Sequence, residues 1–266
     1  MEQIQSIKRN RAFAAGRAVL ALALCIGLLS CATGAELVQK KKEAEAYRNM
    51  GEAYLVAGKT TLALRELLKA ERLYPEDHLL QGDLGVAYMR KERLDDAIVH
   101  FKKALEIRPD YAPAKNNLGT AYLAKGEIDQ AILIFEELNQ DILYASPHYP
   151  LFNLGRAYFM KKDYPTAERY FKEALGLRPE FVRARQWIGL TYMERGMLDE
   201  AIRELEKVVE KAPQVGQFHY DLAKAYALAG RTSEALTHYE TAAKLAPEES
   251  DLANQAKAAA KDLRSR

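Results

Sequence analysis

Cysteine is almost missing from this 266-residue chain: Cys25 and Cys31 are the only two, and both fall in the first 31 residues. The rest of the chain cannot hold an internal disulfide, a thiolate zinc site or a thiol nucleophile. Charge of one sign is missing too. Lys and Arg number 39 against 37 Asp and Glu. The surplus sits in residues 1–30, where Lys8, Arg9, Arg11 and Arg17 face Glu2; without these the balance becomes 35 to 36. A nucleic-acid binder needs a basic surplus on one face, so no nucleic-acid partner is expected. Also absent are H-E-x-x-H, G-x-S-x-G, a P-loop and G-x-G-x-x-G. His78, His100, His148, His219 and His238 are scattered with no metal-ligand spacing, and acidic pairs such as Asp95-Asp96 and Glu136-Glu137 read as solvated helix faces. No enzyme, metal, cofactor or small-molecule substrate is expected. Disorder is excluded, because 48% of the residues are hydrophobic.

What is present begins with an address. A basic start precedes an apolar run, Ala18 to Leu29, of 12 residues. A bilayer span needs about 20, so the run reads as an export signal over residues 1–30. It ends in Leu28-Leu29-Ser30-Cys31, which resembles the lipobox of bacterial lipoproteins. The competing Cys25 follows Leu24, where a small residue is wanted. The resemblance implies that Cys31 is acylated, palmitate among its chains, and becomes the mature N-terminus. Ala32 after it is not the Asp that retains lipoproteins in the inner membrane, so an outer-membrane anchor facing the periplasm is expected. Residues 31–43 read as lipidated N-terminus and tether, at most ~40 Å when extended.

The body is an array. Gly51, Gly85, Gly119, Gly155 and Gly189 step by 34, 34, 36 and 34 residues, and Ala223 follows another 34 on. In phase with them run Tyr54, Tyr88, Tyr122, Tyr158, Tyr192 and Tyr226, then Ala63, Ala97, Ala131, Ala167, Ala201 and Ala235. Pro75, Pro109, Pro179, Pro213 and Pro247 close all but the third unit. Apolar spacing of i, i+3, i+4, i+7 makes two amphipathic helices per unit. Gly lets helix A approach helix B, Ala keeps the contact thin, and Pro ends helix B. Gly58, Gly126, Gly196 and Gly230 sit where the A–B turn wants positive φ. Six units follow: 44–77, 78–111, 112–147, 148–181, 182–215 and 216–249. Residues 250–266, with Leu252, Ala256, Ala259 and Leu263 at helical spacing, read as a capping helix and tail.

This pattern resembles the tetratricopeptide repeat (TPR) family. The resemblance implies an all-α, right-handed superhelical α-solenoid whose concave groove is lined by helix A positions 2, 5, 9, 12 and 13. Carried onto this chain, those positions give Met89, Asn116, Leu123, Tyr149, Phe152, Arg156, Phe159, Met160, Gln186, Leu190, Met193 and Tyr220 as the partner-binding groove, with Arg48, Arg183 and Lys224 as further polar positions. Such a surface suits an apolar helix or extended peptide. The carboxylate clamp of chaperone-binding members is absent, since Glu52 and Asp83 stand where it would need other residues. The third junction, residues 139–150, carries two extra residues. Its Asp141, Leu143, Tyr144 and Pro147, followed by Asn153-Leu154-Gly155, together with the lipobox and the repeat number, resemble the PilF/PilW type IV pilus biogenesis lipoproteins. That resemblance implies a pilotin, which binds a secretin subunit and helps it assemble in the outer membrane. The alternative is a general envelope scaffold serving peptidoglycan, polysaccharide-export or outer-membrane assembly machinery.

Overall fold

The computed structural model describes residues 34–140 and 146–265. The export segment, Cys31 and residues 141–145 of the third junction lie outside the described residues. The regular structure in the described residues is helical, as expected of an all-α repeat solenoid. Two compact units, divided after Pro109, each have their own packing.

The first unit holds α1 (residues 34–56), α2 (Thr60–Leu73), α3 (His78–Arg90) and α4 (Leu94–Ile107). Within the tether, residues 34–43 are helix, continuous with the first repeat. The cause is local. Ala35 to Glu43 is a run of good helix formers apart from Val38, and Lys40 pairs with Glu36 one turn earlier at 2.7 Å. At 1.5 Å rise per residue those ten positions span about 15 Å, under half their extended reach.

The second unit runs through α5 (Ala112–Lys125), α6 (Ile128–Gln140), α7 (His148–Met160), α8 (Tyr164–Leu177), α9 (Val182–Glu194), α10 (Leu198–Lys211), α11 (Gly216–Leu228), α12 (Thr232–Leu245) and α13 (Asp251–Ser265). Each helix packs on its chain neighbours. In addition, α5 touches α7, α7 touches α9, α9 touches α11 and α11 touches α13, whereas the even helices do not touch one another. The odd helices are therefore the closer-spaced layer, and this unit curves toward them. In α13 the inward stripe is Ala253, Ala256 and Ala260, with Leu252, Ala259 and Leu263 half-buried beside it.

Within each repeat the A–B contact is as the spacing demanded. Leu67, Phe101, Phe135, Phe171 and Leu205 are fully buried, each against the glycine sixteen residues earlier. The αL turn after helix A also forms in all six repeats. Gly58, Gly126, Gly196 and Gly230 have φ between 72° and 83°, and Glu92 and Lys162 adopt φ of 60° and 62° at the same place. A second device ties repeats end to end. Gln81 donates to the Pro75 carbonyl at 2.9 Å and holds His100 Nδ1 at 2.7 Å. In the last repeat the same positions are His219 and His238: His219 Nε2–H donates to the Pro213 carbonyl, leaving Nδ1 to accept from His238 Nδ1–H at 2.9 Å.

In the first unit, Arg48 of α1 lies 3.6 Å from Asp77 and 4.0 Å from Asp83, too far for good hydrogen bonds. Burial, then the nearby Glu52, push the Asp83 carboxyl up to about 7 against the pull of Arg48. A carboxyl raised in the folded state contributes stability below its ordinary value of 3.8 that is lost as pH rises toward 7. Asp83→Asn removes that loss. Its melting temperature should match wild type near pH 4 and exceed it above pH 7, by about 2 kcal/mol of stability, roughly half the linkage maximum for a partly wet carboxylate. A gap that does not grow with pH would refute the burial of this charge.

Candidate peptide-binding cleft on the inner layer

The cleft lies in the second unit, on the inner faces of α7, α9 and α11. Neighbouring odd helices meet there through position 5 of one repeat and position 6 of the next. Asn153 Nδ2 donates to Asn116 Oδ1 at 3.0 Å, and Gln186 Nε2 donates to Asp221 Oδ2 at 2.6 Å. Between these two polar pairs the same register holds Phe152 and Trp187, edge to face with centroids 6.5 Å apart. Each buried amide thus finds a partner in the next repeat, and the repeat without amides uses rings instead.

Around Trp187 the rings gather. Phe159 stands perpendicular to it at 5.1 Å, Phe171 lies beneath at 5.7 Å, and Phe181 meets Phe152 at 5.0 Å. Tyr149, 41% exposed, extends the patch through a perpendicular contact with Phe181 at 5.7 Å. Beside this lies an open groove of about 460 Å³, bordered by Arg183, Gln186, Trp187, Leu190, Val215, Gln217, Phe218 and Asp221. Two guanidiniums cover the rings: Arg156 lies over Trp187 at 5.8 Å and Arg183 over Phe152 at 5.7 Å. Burial, and then Arg183, pull Arg156 below its ordinary value. Asp221 is raised by burial, opposed by hydrogen bonds from Gln186 and Gln217.

The expected groove residues divide. Arg156, Phe159 and Leu190 are half-buried and face the cleft region with Tyr149. Asn116 is spent on Asn153, and Tyr220 packs on Tyr239 with centroids 5.5 Å apart. Met160 is exposed, and Met89 is half-buried in the first unit. Four expectations are corrected. Leu123 (1% exposed) and Met193 (7%) are buried in clusters that join their repeat to the next, Phe152 (4%) is the centre of the aromatic cluster, and Gln186 (8%) holds Asp221. The reason is shared: neighbouring helices crowd positions 5 and 12 where the repeat's side chains are long enough to reach them. Trp187, Phe181, Val215 and Phe218 were missed, because positions 3 and 6 and the inter-repeat loop are not groove positions in the general pattern. The signal available was that Trp187 is the chain's only tryptophan.

Profiles described as tetratricopeptide repeat match residues 88–142, 158–219 and 192–260, and a second of the same description matches 48–112. The structure is similar to that of PilW, a widely conserved type IV pilus biogenesis factor, with TM-score 0.70 and 20% identity over 80% of this chain and 97% of that one. It is also similar to Pseudomonas aeruginosa PilF, with TM-score 0.65 and 20% identity over 83% and 99%. A chain of the APC/C hetero-tetramer Cut9–Hcn1 matches with TM-score 0.68 and 23% identity, over 80% of this chain and 43% of that one. These identities speak for the fold alone. Human tetratricopeptide repeat protein 13 is 32% identical over 72 residues, which are 27% of this chain and 8% of that protein's length.

Proposed function

Because the chain belongs to the tetratricopeptide repeat family, we propose that it is a non-enzymatic, lipid-anchored adaptor that grips a protein partner in the periplasm and assists type IV pilus biogenesis. The family's repeats generally serve as non-catalytic scaffolds. The observation that carries the reading is the cleft on α7, α9 and α11: an aromatic, partly exposed inner surface with polar edges, of the kind that takes an apolar helix or extended segment. The likeness of fold to PilW, a type IV pilus biogenesis factor, and to PilF supports the pilus assignment. A secretin subunit as the partner is what the sequence resemblance at the lipobox and third junction implies. The lipobox ending at Cys31 supports anchoring in the outer membrane. Helix α1 is already under way at residue 34, so little chain separates an anchored Cys31 from the first repeat. An unassembled amphipathic segment would then be held close to the bilayer it must enter.

The test is the heat-resistant secretin multimer in membranes of a deletion strain. It should disappear on deletion and return with the wild-type gene. Cys31→Ala should release the protein to the soluble periplasm and restore the multimer poorly. An unchanged multimer in the deletion strain would replace the pilotin reading with the general envelope scaffold. A Cys31→Ala protein that still fractionates with membranes would refute lipidation at that residue.

A further inference from the structure

The cleft contains a charge that the protein leaves unanswered. Elsewhere among the described residues, partly buried cations have carboxylates: Arg185 reaches Glu204 at 2.8 Å, Lys115 reaches Glu137, and Lys103 reaches Glu71 at 3.1 Å. Half-buried Arg156 does not, and the exposed Arg183 beside it has none either. Arg156 has one long contact, 3.4 Å to Asn153 Oδ1, and otherwise lies on the Trp187 ring. Arg183 lies on the Phe152 ring. The groove's one acid, Asp221, is held by Gln186 and Gln217, and Lys224 is its nearby cation. Arg156 is partly dry, and the like charge of the exposed Arg183 beside it adds to the pull on any anion brought between them.

We propose that this cleft takes a protein segment in which an internal Asp or Glu stands next to an aromatic or long aliphatic side chain, the carboxylate seated on Arg156 and Arg183 and the apolar neighbour on Trp187, Leu190 and Phe218. The proposal rests on the adaptor reading and names the chemistry of its partner. Guanidinium forks match carboxylates in two parallel hydrogen bonds, so the contact sets register as well as affinity. The groove continues past the arginines toward Val215 and Phe218, and the patch toward Tyr149. The charge is thus met in mid-segment, and a side-chain carboxylate fits better than a chain end.

The probe is a library of 12-residue peptides displayed on phage through their C-termini, so that no free terminal carboxylate is offered, panned against the full chain. Enriched peptides should carry Asp or Glu within four residues of an aromatic or Leu. A synthetic copy should bind Arg183→Glu about tenfold or more weakly than wild type, and changing its acid to Lys should recover binding to that variant. Arg183→Gln, which only neutralises the exposed cation, gives an intermediate loss and guards against a folding defect in the charge reversal. Enriched peptides without an acid, or binding indifferent to Arg183→Glu, would overturn the carboxylate proposal and leave the adaptor reading intact. No enrichment over a blank surface would overturn both.

Discussion

Gly119→Leu should cost about 3 kcal/mol or more and lower the melting temperature by roughly 6 °C or more. A Cβ placed on Gly119 meets the Phe135 ring at 2.6 and 2.7 Å, inside any real contact distance. Phe135 is fully buried and cannot swing away, so the added side chain must separate α5 from α6. The effect is testable beyond its size. Adding Phe135→Ala should recover part of the loss, because the two side chains compete for one space and their effects do not add. The last repeat makes the same trade naturally, with Ala223 opposite a Tyr239 that is 6% exposed instead of fully buried. An unchanged thermal unfolding curve for Gly119→Leu would mean that the repeat register assigned here is wrong.

Phe152→Ala should cost about 3 kcal/mol, as for other buried Phe truncations, and should do so from a position the repeat pattern assigns to the ligand groove. Phe152 contacts Phe171 at 5.8 Å, Phe181 at 5.0 Å and Trp187 at 6.5 Å, and so joins the core of one repeat to the entry of the next. Since Trp187 is the only tryptophan, its emission reports on this cluster directly. Truncation should admit water and shift the emission to the red under native conditions. Phe159→Ala, at a half-buried ring on the other side of Trp187, should shift it less and cost less stability. Native emission and stability both unchanged in Phe152→Ala would return Phe152 to the exposed groove.

Much of this was legible before any coordinates. The glycine and large apolar residue sixteen apart, the thin alanine, the αL turn and the closing proline are local constraints that recur at a fixed period. Six in-phase copies leave one architecture that satisfies them. The αL turn shows how firm the constraint is: Glu92 and Lys162 adopt the conformation without being glycine. The helical start of α1 was legible too, since Ala35 to Glu43 favours helix.

The sequence by itself determined the helix pairs, their internal contacts, the all-α repeat class and the candidate address at Cys31. Each depends on residue type at short, regular spacing. Only the tertiary structure decided which inner-face residues are spent and which are free. Asn153 seemed ordinary consensus until it met Asn116, 37 residues away, and Phe152 seemed exposed until Phe181 and Trp187 closed over it. The lone arginine pair emerged the same way, because an unanswered charge is a property of everything around it. Contacts between repeats depend on which long side chains meet across two helices, and a periodic pattern is silent about that pairing.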